Sequence, residues 1–259
     1  METGKKNVLV CLFFVVIFCF AAIEARAELV SWYRFEGNAD DSAGANHGTV
    51  YGDPDWTEGK VGDALKFDGV GDYVHLGNDN SLKPPLPITI SAWIKLNAVG
   101  DTYTVVSLDD PSSDYYGVFL QVWPTNVVQI SYGDGGGDNP FHRRTKMGTT
   151  VLDMDTWYHV AAVVRGPTDM DLYVDGADEG TYEGTGGGLT YSSGDSFVGS
   201  TGGVRSYFDG IIDEVAIWNH ALSPGEVTDI YLNGVPEPAT VSFILLGSLA
   251  VIRTRKSRY

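Results

Sequence analysis

The sequence predicts an all-β fold: a sandwich of two antiparallel sheets, with one short C-terminal helix and a hydrophobic helix at each chain end. Three observations carry this. Short runs rich in β-branched and aromatic residues recur along the chain, separated by Gly, Asp and Asn, the pattern of strands and tight turns. Glycine is 32 of 259 residues, well above the usual ~7%, and supplies those turns. No strand–helix–strand alternation and no internal repeat occurs, so the strands belong to one antiparallel domain.

Taken in order, the expected strands are 29–35, 64–67, 73–76, 88–96, 103–108, 115–123, 127–132, 157–165, 170–175, 196–199 and 211–218. In 88–96, Ile88, Ile90, Ala92, Ile94 and Leu96 share one face. Thr89, Ser91, Trp93 and Lys95 share the other, the period of a half-buried strand. Asp175-Gly176 follows Leu172-Tyr173-Val174 and reads as a two-residue hairpin turn, which needs positive φ. One helix of about two turns is expected. Ser223-Pro224-Gly225-Glu226 forms its capping box with proline at the first position, and Asn233-Gly234 stops it.

The two chain ends read differently from the middle. Residues 1–27 have the order of a secretory signal: Lys5 and Lys6, an apolar run over 8–23, then Ala25-Arg26-Ala27. Cys11 and Cys19 both lie in that run, so the domain at 28–234 has no cysteine and needs a large core for stability. At 235–259, Pro236-Glu237-Pro238 precedes an apolar, transmembrane-type run over 241–252 and a tail with Arg253, Arg255, Lys256 and Arg258. Positive charge after an apolar run keeps that end cytoplasmic. This order resembles the PEP-CTERM sorting signal of Gram-negative, biofilm-forming bacteria. The resemblance implies transient anchoring in the inner membrane and cleavage near Pro236, Glu237 and Pro238 by an exosortase-type protease. Release to the cell surface or extracellular matrix then follows.

Residues 28–234 hold 10 Lys and Arg against 31 Asp and Glu, a net charge of −21. Such a surface repels phosphate, so nucleic acid is excluded as a partner. It offers many carboxylates to divalent cations.

Four stretches of this domain resemble LamG-like domains. They are Trp32–Gly37 with Asn46-His47-Gly48-Thr49, then Gly62–Gly69 with Asp72-Tyr73-Val74. Trp157–Ala161 follows with Leu172–Gly176, and last comes Phe208–Val215 with Trp218–Ser223. The resemblance implies a concanavalin A-like (laminin G-like) jelly roll over residues 32–232. It also implies a structural Ca²⁺ tying the first strand to the last, held here by Glu36, Asp213 and the Gly48 carbonyl.

Catalytic spacing is absent. The E-x-D-x-x-E strand motif that the fold's glycosidases use to place two carboxylates does not occur. Glu179 and Glu183 share a face of one expected strand, with turn-type neighbours. Asp213 and Glu214, being adjacent, are expected on opposite faces of a strand. His159 reads as a satisfied interior histidine, and no His spacing suits a metal. The chain is therefore expected not to be an enzyme.

The remaining candidate is a ligand face. On 115–123, Tyr116, Val118, Leu120 and Val122 form a core side; Tyr115, Gly117, Phe119, Gln121 and Trp123 form the other. With Gln129 on the next strand, and Arg143 and Arg144 beyond it, this side offers rings for a sugar's apolar face and amides for its hydroxyls. The two arginines suit an acidic polysaccharide. The expected function is a non-catalytic surface or matrix binding module for a polysaccharide or surface protein. A purely structural matrix component is the alternative, and a glycoside hydrolase or lyase a more distant one.

Overall fold

The computed structural model describes residues 28–109, 114–137 and 139–237. The expected terminal helices and most of the two sorting segments, including Pro238, lie outside these residues. Among the described residues, no helix is long and apolar enough to cross a membrane.

The strands are β1 (Leu29–Tyr33), β2 (Thr49–Tyr51), β3 (Asp55–Glu58), β4 (Asp63–Asp68), β5 (Tyr73–Gly77), β6 (Ile88–Leu96), β7 (Tyr103–Leu108) and β8 (Tyr116–Val122). They continue as β9 (Val128–Asp134), β10 (Arg143–Met147), β11 (Trp157–Gly166), β12 (Asp169–Val174), β13 (Ala177–Asp178), β14 (Thr181–Gly184), β15 (Ser196–Val198) and β16 (Asp209–Trp218). One helix, α1 (Pro224–Asn233), closes the described chain. The first sheet runs β13-β12-β11-β6-β16-β4-β3, with β1 also paired to β16; the second runs β14-β10-β9-β8-β7-β15-β5-β2. All the strand pairs are antiparallel. This is an all-β jelly-roll sandwich.

The core between the sheets takes the expected faces. Ile88, Ile90, Ala92, Ile94 and Leu96 of β6 meet Val118, Leu120 and Val122 of β8 there, with Phe67, Tyr132 and Ile212. The Asp175-Gly176 turn has φ of +49° and +79°, so both central residues have the positive φ of a type I′ hairpin.

One expectation changes. β6 is buried on both faces, apart from half-buried Lys95. A second apolar layer covers the outer side of the first sheet, where Trp32, Ala161, Tyr173 and Trp218 meet Val227, Ile230 and Val235. Helix α1 builds that cover. It spans ten residues rather than two turns, and its capping box is formed: Ser223 Oγ accepts from Glu226 N–H while Glu226 accepts from Ser223 N–H.

Candidate functional site

Three strands of the second sheet set up the predicted ligand face. Thr104 of β7 pairs with Gln121 of β8, which pairs with Gln129 of β9, so the three lie in one row on the outer face. Their side chains form a chain of bonds. Gln129 Nε2 donates to Gln121 Oε1 at 2.9 Å, and Gln121 Nε2 donates to Thr104 Oγ1 at 3.0 Å and to Thr201 Oγ1 at 3.3 Å. Gln121 is thus committed at both ends, and it orients Gln129.

Tyr115, Phe119, Gln121, Trp123, Gln129 and Arg143 line one pocket of about 220 Å³, with Thr102, Thr201, Arg205 and Ser206 on its other wall. The amides form its buried floor, while Tyr115, Trp123 and Arg143 are half-buried. Trp123 belongs to neither buried apolar cluster. Arg143 lies over the Tyr115 ring, 4.9 Å from its centroid, and Tyr115 meets Phe119 edge-on at 6.0 Å. Five of the six residues chosen from sequence therefore converge. Arg144 does not. It pairs with core-facing Tyr132, lies over the Tyr182 ring and donates to the Gly184 carbonyl. Adjacent strand residues point to opposite faces, so only one arginine of the pair can serve this pocket. Thr201, Arg205 and Ser206 come from a Gly-rich loop whose path the sequence does not betray.

Two of the candidate calcium ligands meet at one turn. Asp213 Oδ2 accepts from the backbone N–H of Lys60 at 2.8 Å and Val61 at 3.0 Å, and Glu36 Oε2 accepts from Asp63 N–H at 3.1 Å. Together they hold the turn between β3 and β4. Asp213 Oδ1 is buried and unpartnered. Gly48 donates its N–H to Ala39 O at 2.8 Å, and a Cβ there would meet Val74 of the second sheet. Among the described residues, the one group of three or more His, Cys, Asp or Glu with ligand atoms all within 4.8 Å of one another is Asp53, Asp68 and Asp72. Asp68 and Asp72 sit in the stretch that carries the family resemblance. Asp72 Oδ1 and Oδ2 are already taken by the Asp53 and Asp68 N–H groups.

Asp213 and Glu214 do not point to opposite faces. Asp213 pairs with Trp93 and Ala216 with Ser91, so Glu214 and Val215 oppose the single residue Ala92. Glu214 takes φ +52° at this bulge, which inserts one residue and re-aims the side chains beside it. Ile212 and Val215 face the core, leaving both carboxylates on the outer side. Glu214 Oε2 accepts from Trp32 Nε1 at 2.8 Å. Burial pushes each carboxyl up to about 7. Glu179 lies off the strands and accepts from Thr149 and Thr150, a structural role.

A larger cleft of about 760 Å³ lies among loops 43–47, 76–81 and 84–87. Apart from His47 it has no aromatic ring to stack on a ligand, so the smaller pocket is the better sugar site on chemistry.

A family model described as the concanavalin A-like lectin/glucanases superfamily (Laminin_G_3) matches residues 68–228. Among solved structures, domain 4 of AbnA, a GH43 extracellular arabinanase from Geobacillus stearothermophilus, in complex with arabinotriose, superposes with a TM-score of 0.59 at 21% identity. That match covers 79% of this chain and 98% of that one. The binding domain of Paraclostridial Mosquitocidal Protein 1 matches at 0.61 and 14% identity, covering 79% of this chain and 52% of that one. Trypanosoma rangeli sialidase in complex with the inhibitor DANA matches at 0.56 and 16%, covering 79% and 32%. The chain thus spans about half of the toxin domain and a third of the sialidase, and these likenesses speak to fold.

Proposed function

The chain belongs to the concanavalin A-like lectin/glucanases superfamily, and on that premise we propose that it is an exported, non-catalytic module that binds polysaccharide through the pocket on its second sheet. The convergence of Tyr115, Trp123, Gln129 and Arg143 around an amide floor carries this reading. Rings flank a polar floor, which suits a sugar's apolar face and its hydroxyls. The AbnA domain, seen with arabinotriose, supports a glycan as the ligand class. The test is calorimetric titration of residues 28–237 with arabinotriose and a panel of neutral and acidic polysaccharides. Saturable binding without release of reducing sugar is expected. Bond cleavage would make the module an enzyme, and no binding across the panel would favour a structural matrix role.

Export and sorting belong to the same proposal. The order of parts in 1–27 and 235–259 supports a signal peptide and processing near Pro236, Glu237 and Pro238. Intact-mass analysis of protein from the native host is expected to begin near Glu28 and to lack the basic tail. Retention of Arg253 to Tyr259 would indicate a plain tail anchor.

A structural calcium is a second proposal, favoured by the unpartnered, buried Asp213 Oδ1. Asp213 and Glu36, which hold the same turn, would supply its carboxylates, with the Gly48 carbonyl the third expected ligand. The ion would neutralise buried carboxylates and pin the β3–β4 turn. Native-state binding adds about 2.7 kcal/mol at a hundredfold excess over Kd. Calcium is therefore expected to raise the Tm of wild type by several degrees relative to EDTA, and Asp213→Asn to erase that increment. Equal melts in both buffers would remove the ion.

A further inference from the structure

The outer side of the first sheet holds a concentration of unpaired polar atoms. Ser91 Oγ and both ring nitrogens of His159 are buried and have no hydrogen-bond partner, while Glu214 Oε1 and Arg34 Nε, also without one, face each other as an ion pair at 3.9 Å. Ser91 and His159 are 1% exposed and Glu214 5%. Buried polar groups in folded proteins are paired with few exceptions, and each exception calls for a cause. Three residues with such atoms meet here. Ser91, His159 and Glu214 line one small void with Trp93, Ile230, Gly234 and Val235. That void adjoins a cleft of about 620 Å³, with Trp93, Glu214, Gly234 and Val235 common to both.

The cleft has aromatic walls. Trp32, Trp93 and Tyr231 line it, with Tyr231 5.7 Å from Trp93 and 5.9 Å from His159. Lys60 Nζ lies 4.2 Å from the Trp93 centroid, and the Arg34 guanidinium 5.0 Å from that of Trp32. Its size falls in the range of small-molecule sites. We propose that this cleft, between the first sheet and α1, is a second binding site that takes a neutral, hydroxyl-rich ring of monosaccharide size.

The polar inventory selects that chemistry. An anion would meet Glu214, Asp229 and Glu237 at the walls, and a cation would meet Arg34 and Lys60. A neutral imidazole has one donor and one acceptor, a serine hydroxyl has both, and a carboxylate accepts. Sugar hydroxyls, which donate and accept, satisfy all three. Half-buried Tyr231 supplies the stacking surface, with Trp32 and Trp93 buried behind Arg34 and Lys60. The floor lies beneath Val235, which follows Gly234 at φ +85°, so a bound ring displaces Val235 about that glycine. The site stands independently of the pocket on the second sheet.

The test is titration of the full-length chain with methyl glycosides of glucose, galactose and arabinose, and with galacturonate and glucosamine as charged controls. Tryptophan fluorescence and the ¹⁵N signals of the His159 ring are followed together. A neutral glycoside is expected to move both signals. Tyr231→Ala, checked for an unchanged melt, is expected to weaken that binding about tenfold, while Phe141→Ala, at an exposed ring that lines neither site, leaves it unchanged. An unmoved His159 signal with every neutral glycoside, on wild-type protein, would overturn the site. So would a preference for either charged sugar, or loss of binding with Trp123→Ala but not with Tyr231→Ala.

Discussion

Trp123 and Arg143 border the same pocket, and their removal has unequal consequences. Trp123 lies outside both apolar clusters, so its ring is available to a ligand. Losing a stacking ring costs about 1–2 kcal/mol, roughly tenfold in Kd. A half-exposed charge contributes under about 1 kcal/mol and is screened by salt. Trp123→Ala should therefore weaken polysaccharide binding more than Arg143→Ala, with the difference growing as salt rises. Equal losses in calorimetry would contradict the stacking role. The sequence showed this face because alternation along 115–123 separates Val118, Leu120 and Val122 from Phe119, Gln121 and Trp123. It did not show Arg144 turned away, since that needs the register of β10. Nor did it show Glu214 beside Asp213, since a bulge at a non-glycine residue leaves no mark in the pattern.

At the scale of elements, the strands legible in the sequence are those buried on at least one face. All eleven expected strands are present, with ends shifted by a residue or two. Of the other five, β2, β3, β10 and β13 are unforeseen, and β14 holds Glu183 but not Glu179 of the strand expected to carry both. Four of the five are the edges of the two sheets, mostly exposed, so no apolar alternation marks them. β10 lies next to an edge and carries Lys146 into the interior, against the usual pattern. Lys146 is 5% exposed, and its Nζ donates to Met170 O at 2.9 Å and Asp178 Oδ1 at 3.1 Å, tying the second sheet to the first. Tyr182 Oη also donates to Met170 O, at 2.8 Å. Lys146→Met keeps the apolar stem and leaves Met170 O one donor, so it should cost under about 1 kcal/mol. Adding Tyr182→Phe strips that carbonyl of both side-chain donors, and the pair should cost about 1–3 kcal/mol beyond the sum of the singles. An additive double mutant in urea melts would show that the two donors do not share this role.

At the scale of the whole molecule, stability rests on a cysteine-free core and on buried ionisable groups that oppose one another in pH. His159 is 1% exposed, and burial pushes its pKa down to about 4 from an ordinary value near 6.5. The unfolded chain therefore binds one more proton than the folded domain between about pH 4 and 6.5. Stability from this group is full above pH 6.5 and is lost as pH falls towards 4, by about 3 kcal/mol in all. Asp213 and Glu214 are held up at about 7, and their folded forms keep protons that the unfolded chain has lost. Acidification through the same window therefore stabilises through them, and two such carboxyls outweigh the one imidazole that opposes them. A His159→Gln variant removes only the opposing imidazole. It should gain stability relative to wild type as pH drops from 7 to 4.5, a difference of up to about 3 kcal/mol read from paired urea melts across that range. Parallel profiles for the two proteins would show that His159 is protonated or partnered in the native state, and that the polar floor beneath α1 is already filled.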